Sequence, residues 1–285
     1  MAQDQLAIVI CHGSYHSTAP YEPFLQALNS RGYETYCPQR PTADLSRHNV
    51  GDLNNPDFDR GPGPEGLASD FEDVVVLNEI LEKLIQQEGK QVLLVGHSSG
   101  GWMATQAAIP KLQYKTRQEN GQPGGLIGLF YYAAFAIPVN ESISGFFQPK
   151  DGSFYMPPWL RFYKHGAAGV GTLVEPEKYL FNGLDAESAA KWSATLTASP
   201  INTGVLTNDP YSTLPCAYLV CDDDLILPKM GQEAMIGLQS ANGNTFTVYH
   251  AAAGHSAHLT CTQELVERVT EFANQIKTSS AHVQI

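Results

Sequence analysis

No apolar run in the 285 residues approaches the roughly 18 that a membrane-spanning helix requires, so no span is predicted. The first such run, Leu6-Ala7-Ile8-Val9-Ile10-Cys11, is too short for a secretory core followed by a cleavage site and reads as a strand. Basic residues are scarce: 17 Lys and Arg against 29 Asp and Glu leave a net charge of −12, spread without a basic cluster, which argues against nucleic acid as a partner. Cysteine is sparse and odd in number, five in all, with no short regular spacing that would mark a disulfide framework. Cys11, Cys37, Cys216 and Cys221 lie in or beside apolar runs, where a thiol acts as a small hydrophobe, so a reducing, cytoplasmic setting is expected. There is no H-E-x-x-H spacing and no G-x-G-x-x-G on a strand-helix unit, so neither a metal nor a nucleotide cofactor is expected. No internal repeat or low-complexity segment occurs.

What is present is enough apolar residue, 43%, to bury one sizeable core. Apolar strand-like runs alternate with helical patterns, the rhythm of an α/β fold with a mostly parallel sheet of about six strands flanked by helices. Residues 6–11 form the first strand, followed by the loop His12-Gly13-Ser14-Tyr15-His16 and a helix over about 21–30 closed by Gly32. The stretch 40–66, rich in Pro, Gly, Asn and Asp, reads as a surface loop near the mouth of the site. From Leu67 to Gln87, Phe71, Val74, Val75, Leu81, Leu84 and Ile85 recur at three- and four-residue spacing and predict an amphipathic helix. Residues 1–138 and 213–285 are expected to form the core. Residues 139–212, aromatic-rich with short helical pieces, break the alternation and are expected to form a helical lid over the C-terminal edge of the sheet. Most aromatics there would hold the lid to the body; Trp159 and Phe181, with Tyr15 and Phe135 on the core, are the candidates to touch a ligand.

The chain is organised around Val92-Leu93-Leu94-Val95-Gly96-His97-Ser98-Ser99-Gly100-Gly101. A buried-strand signal runs directly into G-x-S-x-G and a predicted helix, the context in which that motif holds its serine in a tight turn. Glycines two positions before and after are needed because side chains there would strike the neighbouring strand and helix. Ser98 is therefore the candidate nucleophile. A serine hydroxyl needs a base, and the base needs a carboxylate to fix its tautomer. Both follow in chain order after further apolar strands: Asp222-Asp223-Asp224 after 216–221, and His255 after 245–249. His255 stands directly behind a strand and Gly254, whereas His258 lies a turn into a helix start, so His255 is favoured as base. Among the three aspartates, repulsion allows only one to turn inward, and the sequence alone leaves that one open. His12, His16 and His97 are expected to shape loops and walls. The oxyanion donors are expected to be backbone N–H groups, Ser14 from the first loop and Ser99 after the nucleophile.

These motifs resemble the α/β-hydrolase superfamily, in particular its short branch of plant methyl esterases and hydroxynitrile lyases. The resemblance rests on 12–16, 95–101, the segment Ala133-Ala134-Phe135-Ala136-Ile137-Pro138, residues 218–224 before Pro228, and Gly254-His255. Counting from Tyr218 or Pro228, it implies Asp224 rather than Asp223 as the triad acid. The chain departs from the branch in a longer 40–66 loop and an extra segment at 113–125. The lyases carry threonine after the first-loop histidine and lysine after the catalytic one, where this chain has Gly13 and Ser256. The expectation is thus a serine hydrolase that cleaves an ester or lactone of a small, largely apolar substrate through an acyl-enzyme. The alternatives are a lyase-like or C–C bond-cleaving enzyme, or a small-ligand receptor on the same fold. The oligomeric state is left open, a homodimer included.

Overall fold

The computed structural model describes residues 6–282 apart from 150, 152 and 154. Its strands are β1 (Leu6–Cys11), β2 (Glu34–Tyr36), β3 (Gln91–His97), β4 (Gly125–Tyr132), the short β5 (Leu160–Phe162) and β6 (Gly171–Leu173), β7 (Cys216–Cys221) and β8 (Phe246–Ala251). Six of them form one parallel sheet in the order β2-β1-β3-β4-β7-β8. The four inner strands are buried at every position, which is why they read as continuous apolar runs, while edge strand β8 is buried only at its ends, Phe246 and Ala251.

The helices are α1 (Glu22–Asn29), α2 (Asp70–Glu82), α3 (Gly100–Ala107), α4 (Tyr114–Glu119), α5 (Ile143–Phe146), α6 (Pro176–Tyr179), α7 (Ala186–Ser193), α8 (Lys229–Ala241), α9 (Ala257–Thr260) and α10 (Thr262–His282). Successive β1 side chains feed opposite layers. Ala7, Val9 and Cys11 join a core with Leu77 and Leu81 of α2, Trp102 of α3 and Met235 of α8. Leu6, Ile8 and Ile10 join another with Phe24 of α1 and Val269 and Phe272 of α10. Period-2 alternation thus builds both faces of the layered fold.

Two expectations change. The helix over 67–87 starts only at Asp70, because Ser69 and Glu72 form a reciprocal capping box, and it runs into a π-helical turn at Lys83–Gln87. Its buried stripe is Val74, Leu77, Leu81, Leu84 and Ile85, whereas Phe71 and Val75 are exposed. The 40–66 stretch is a loop only in part: it begins with two 3₁₀ turns and the fully buried Arg40, and its largely exposed remainder contacts residues 163–165 of the inserted segment but contributes no residue to the main cavity. Between β4 and β7 the chain adds α5, α6, α7 and the antiparallel ribbon β5-β6. No helix among the described residues is long and apolar enough to cross a membrane.

Candidate active site

Ser98 sits at the C-terminal end of β3 with φ +53°, a left-handed conformation that costs a non-glycine residue energy and is held by surrounding bonds. Its N–H donates to Ala133 O (3.1 Å), and its carbonyl accepts from Gly101 N (3.0 Å) and Phe135 N (3.0 Å). The flanking glycines are steric requirements. A Cβ at Gly100 would stand 1.9 Å from Cys11 O, and one at Gly96 2.7 Å from Gly101 Cα. Gly13 also packs against Ser98, since a Cβ there would lie 2.9 Å from Ser98 Cβ.

The loops after β7 and β8 bring Asp224 and His255 together, 31 residues apart in sequence, with His255 Nδ1 2.8 Å from Asp224 Oδ2. Both side chains are buried. Asp224 Oδ1 accepts from the N–H groups of Ile226 and Leu227, each at 2.8 Å, so the carboxylate is fixed by its own loop. Asp222 instead binds Lys229 and His250 at the surface, and only the backbone of Asp223 is engaged, with Ala253 and Asn182. With Nδ1 committed to Asp224, the ring nitrogen of His255 left for other work is Nε2, and His255 and Ser98 line the same cavity. His258 lies elsewhere: it is buried, stacked on Tyr21 at 4.3 Å, and neither of its nitrogens has a hydrogen-bond partner.

Beneath the site a chain of bonds ties the first loop to His255. Gly13 N–H donates to Tyr21 Oη (3.1 Å), Tyr21 O–H to His97 Nδ1 (2.6 Å), and His97 Nε2–H to His255 O (3.0 Å). The carbonyl at one end fixes the tautomer, so His97 is neutral and serves as a brace. Burial lowers the pKa of His12, His97 and His258 well below the usual histidine value, and brings His16 down to about 4.

The expected oxyanion donors differ from one another. Ser99 caps the N-terminus of α3, where its amide has no intrahelical acceptor. The Ser14 amide is not open in this way: it donates to Ser99 Oγ at 2.9 Å.

Ser98 and His255 face a cavity of about 590 Å³ whose wall, among the described residues, includes no Asp, Glu, Lys or Arg. Of the candidates to touch a ligand, Tyr15, Phe135 and Trp159 line this cavity. Phe181 does not: it is fully buried with Leu180 and Ala189, because the chain turns it into the inserted segment's own small core. The sequence reading missed Asn202 and Ile201 between β6 and β7, Leu227 after Asp224, and Met230 on α8, all of which line the cavity. Only Pro228, as a helix-start signal, hinted that the 226–230 stretch would turn back over the site. Among the described residues, no three His, Cys, Asp or Glu side chains converge in a way that could hold a metal ion.

Residues 8–268 match the sequence profile of the alpha/beta hydrolase family. The chain belongs to the alpha/beta hydrolase family. It is 25% identical over 275 residues to the alpha/beta hydrolase nvfD of Aspergillus novofumigatus, covering 94% of this chain and 97% of that one. Identity to the pyrethroid hydrolase of Sphingobium wenxiniae is 22% over 276 residues, or 94% of this chain and 87% of the relative. Among solved structures, polyneuridine aldehyde esterase superimposes with a TM-score of 0.68 at 16% identity, covering 94% of this chain and 99% of that one. At this level of identity the superposition establishes the fold, and the six-stranded parallel sheet flanked by helices is the alpha/beta hydrolase arrangement.

Proposed function

We propose that this alpha/beta hydrolase cleaves a carboxylic ester or lactone of an uncharged, largely apolar substrate through an acyl-enzyme. The observation that carries the reading is the buried His255–Asp224 bond at 2.8 Å, held at the rim of the cavity that the strained Ser98 also lines. Ser98 Oγ attacks the carbonyl carbon while His255 Nε2 takes its proton, and Asp224 stabilises the imidazolium that forms. Collapse of the tetrahedral intermediate passes that proton to the leaving alcohol. Water, deprotonated by His255, then adds to the acyl-serine and releases the acid and free Ser98.

Substrate class follows from the walls. The described lining residues carry no charged side chain to replace the hydration of an ionic substrate, whereas burial of apolar surface is favourable by about 25 cal/mol per Å². The inserted segment 139–212 acts as the lid of this cavity, since Trp159, Leu160 and Asn202 come from it. Relatives named a pyrethroid hydrolase and an esterase are in keeping with ester chemistry. The test is a fluorophosphonate probe together with short-chain p-nitrophenyl esters on wild type and Ser98→Ala. Wild type is expected to label and turn over and the variant to do neither; labelling and turnover that survive the substitution would overturn Ser98 as nucleophile.

A further inference from the structure

Behind the first loop runs a polar chain that crosses from the core to the inserted segment. Arg40 is fully buried, its Nε donating to Asp73 Oδ2 at 2.8 Å, while its Nη1 donates to His12 O (3.0 Å) and to Ser99 Oγ (2.6 Å). Ser99 Oγ also accepts the Ser14 N–H at 2.9 Å. A hydroxyl has two acceptor sites and one proton. With both sites of Ser99 filled, its proton goes to the remaining neighbour, Ser14 Oγ, at 2.8 Å. Ser14 in turn points its own proton at Asn202 Oδ1, 3.0 Å away. Asn202 is oriented by Asp70, whose Oδ1 accepts from Asn202 Nδ2 (2.5 Å) and whose Oδ2 accepts from Gly204 N (2.8 Å).

We propose that the Ser14 hydroxyl, and not its amide, is the first loop's donor to the oxyanion, and that Arg40 polarises it through Ser99. This rests on the acyl-enzyme reading above. The Ser14 proton rests on the neutral amide oxygen of Asn202, in the inserted segment, and an anionic oxygen is a stronger acceptor than an amide. Ser14, Asn202 and Ser98 all line the cavity, and the proposed step is rotation of the Ser14 hydroxyl from Asn202 towards the intermediate. The buried Arg40 charge, passed along successive hydrogen bonds, strengthens the donor at the moment negative charge develops. Arg40 and Ser99 are positioning residues here, and Ser14 is the catalytic one.

The experiment compares Ser14→Ala, Ser14→Thr and Ser99→Ala with wild type in ester turnover and in affinity for an aryl trifluoromethyl ketone, which forms a tetrahedral adduct with the nucleophile. Ser14→Ala is expected to lower kcat about 10²-fold with little change in KM, and to weaken the ketone by a similar factor. Ser14→Thr, which keeps the hydroxyl, is expected to recover most of both, and Ser99→Ala to fall between. Unchanged kcat and ketone affinity in Ser14→Ala would overturn the proposal, as would a Ser14→Thr no better than alanine. Should thermal unfolding show that Ser14→Ala does not fold, Ser99→Ala decides: unaltered ketone affinity there overturns it. Failure of wild type to label with fluorophosphonate contradicts the acyl-enzyme reading instead, whereas a labelled wild type beside an unaffected Ser14→Ala contradicts this proposal alone.

Discussion

At the scale of single residues, the Asp224 carboxylate has two distinct duties, one on each oxygen. Oδ1 organises the backbone of residues 226–227, and Oδ2 holds His255 Nδ1. Asp224→Asn keeps the shape but allows the side-chain amide to face His255 and favour the wrong tautomer. Its kcat is expected to fall about 10⁴-fold, with far-UV circular dichroism unchanged. Spacing behind apolar strands led to His255 and to the run Asp222-Asp223-Asp224, and the family resemblance singled out Asp224 among the three. The sequence could not place Phe181, Asn202 or the Ser14 amide, because those positions depend on how a non-periodic segment settles onto the body. Arg40 was invisible for a related reason: an arginine in a Pro- and Gly-rich stretch reads as solvated, and only Asp73, on α2, makes its burial tolerable.

The buried histidines give the protein a defined acid response. His16 has its folded pKa lowered to about 4, against 6.5 for an unperturbed ring, chiefly by burial. His12, His97 and His258 are lowered in the same direction for the same leading reason. The unfolded chain therefore binds more protons than the native one below pH 6.5, so stability is lost as pH falls from there towards 4. His16 alone contributes up to about 3 kcal/mol of that loss. Asp70, raised by burial, works in the opposite sense at the lower end of the range. Urea midpoints measured across this interval are expected to decline with acidity, and His258→Phe, which removes a titrating ring stacked on Tyr21, is expected to flatten the slope.

At the scale of elements, the turn between β3 and α3 is set by steric exclusion. Gly100→Ala would drive a methyl into the backbone at the end of β1, 1.9 Å from Cys11 O, with no flexible side chain to give way. The expected cost exceeds about 4 kcal/mol, read as loss of soluble protein or a large drop in Tm. Gly237 provides the contrast. It lies inside α8 with nothing within 4 Å of an added Cβ, so Gly237→Ala is expected to stabilise by about 0.5–1 kcal/mol in thermal or urea unfolding. Elements were legible where periodicity and punctuation agreed, as in the four inner strands. The α2 stripe was blurred because exposed Phe71 and Val75 imitate its spacing, and the capping box at Ser69 sets a start that hydrophobic pattern alone does not mark.

At the scale of the whole molecule, one buried ion pair holds the long connection after β2 against α2. Asp73 accepts from Arg40, from Thr42 N (2.9 Å) and from Thr42 Oγ1 (2.7 Å), so Asp73→Ala strands a buried guanidinium as well as two donors. A loss of about 3–5 kcal/mol is expected by urea unfolding. The chain carries a net charge of −12, whereas the described residues of the cavity wall carry no Asp, Glu, Lys or Arg. Neutral esters are therefore expected to show kcat/KM nearly independent of ionic strength, while an ester bearing a carboxylate is turned over poorly and improves with salt as the repulsion is screened.

The most direct measurement is intact and peptide mass spectrometry of enzyme quenched by acid during turnover of a slowly deacylated ester. The expected result is one acyl group per chain, mapped to the peptide that contains Ser98 and absent from Ser98→Ala. Product formed with no acyl adduct at all, or with the adduct on another residue, would contradict the account.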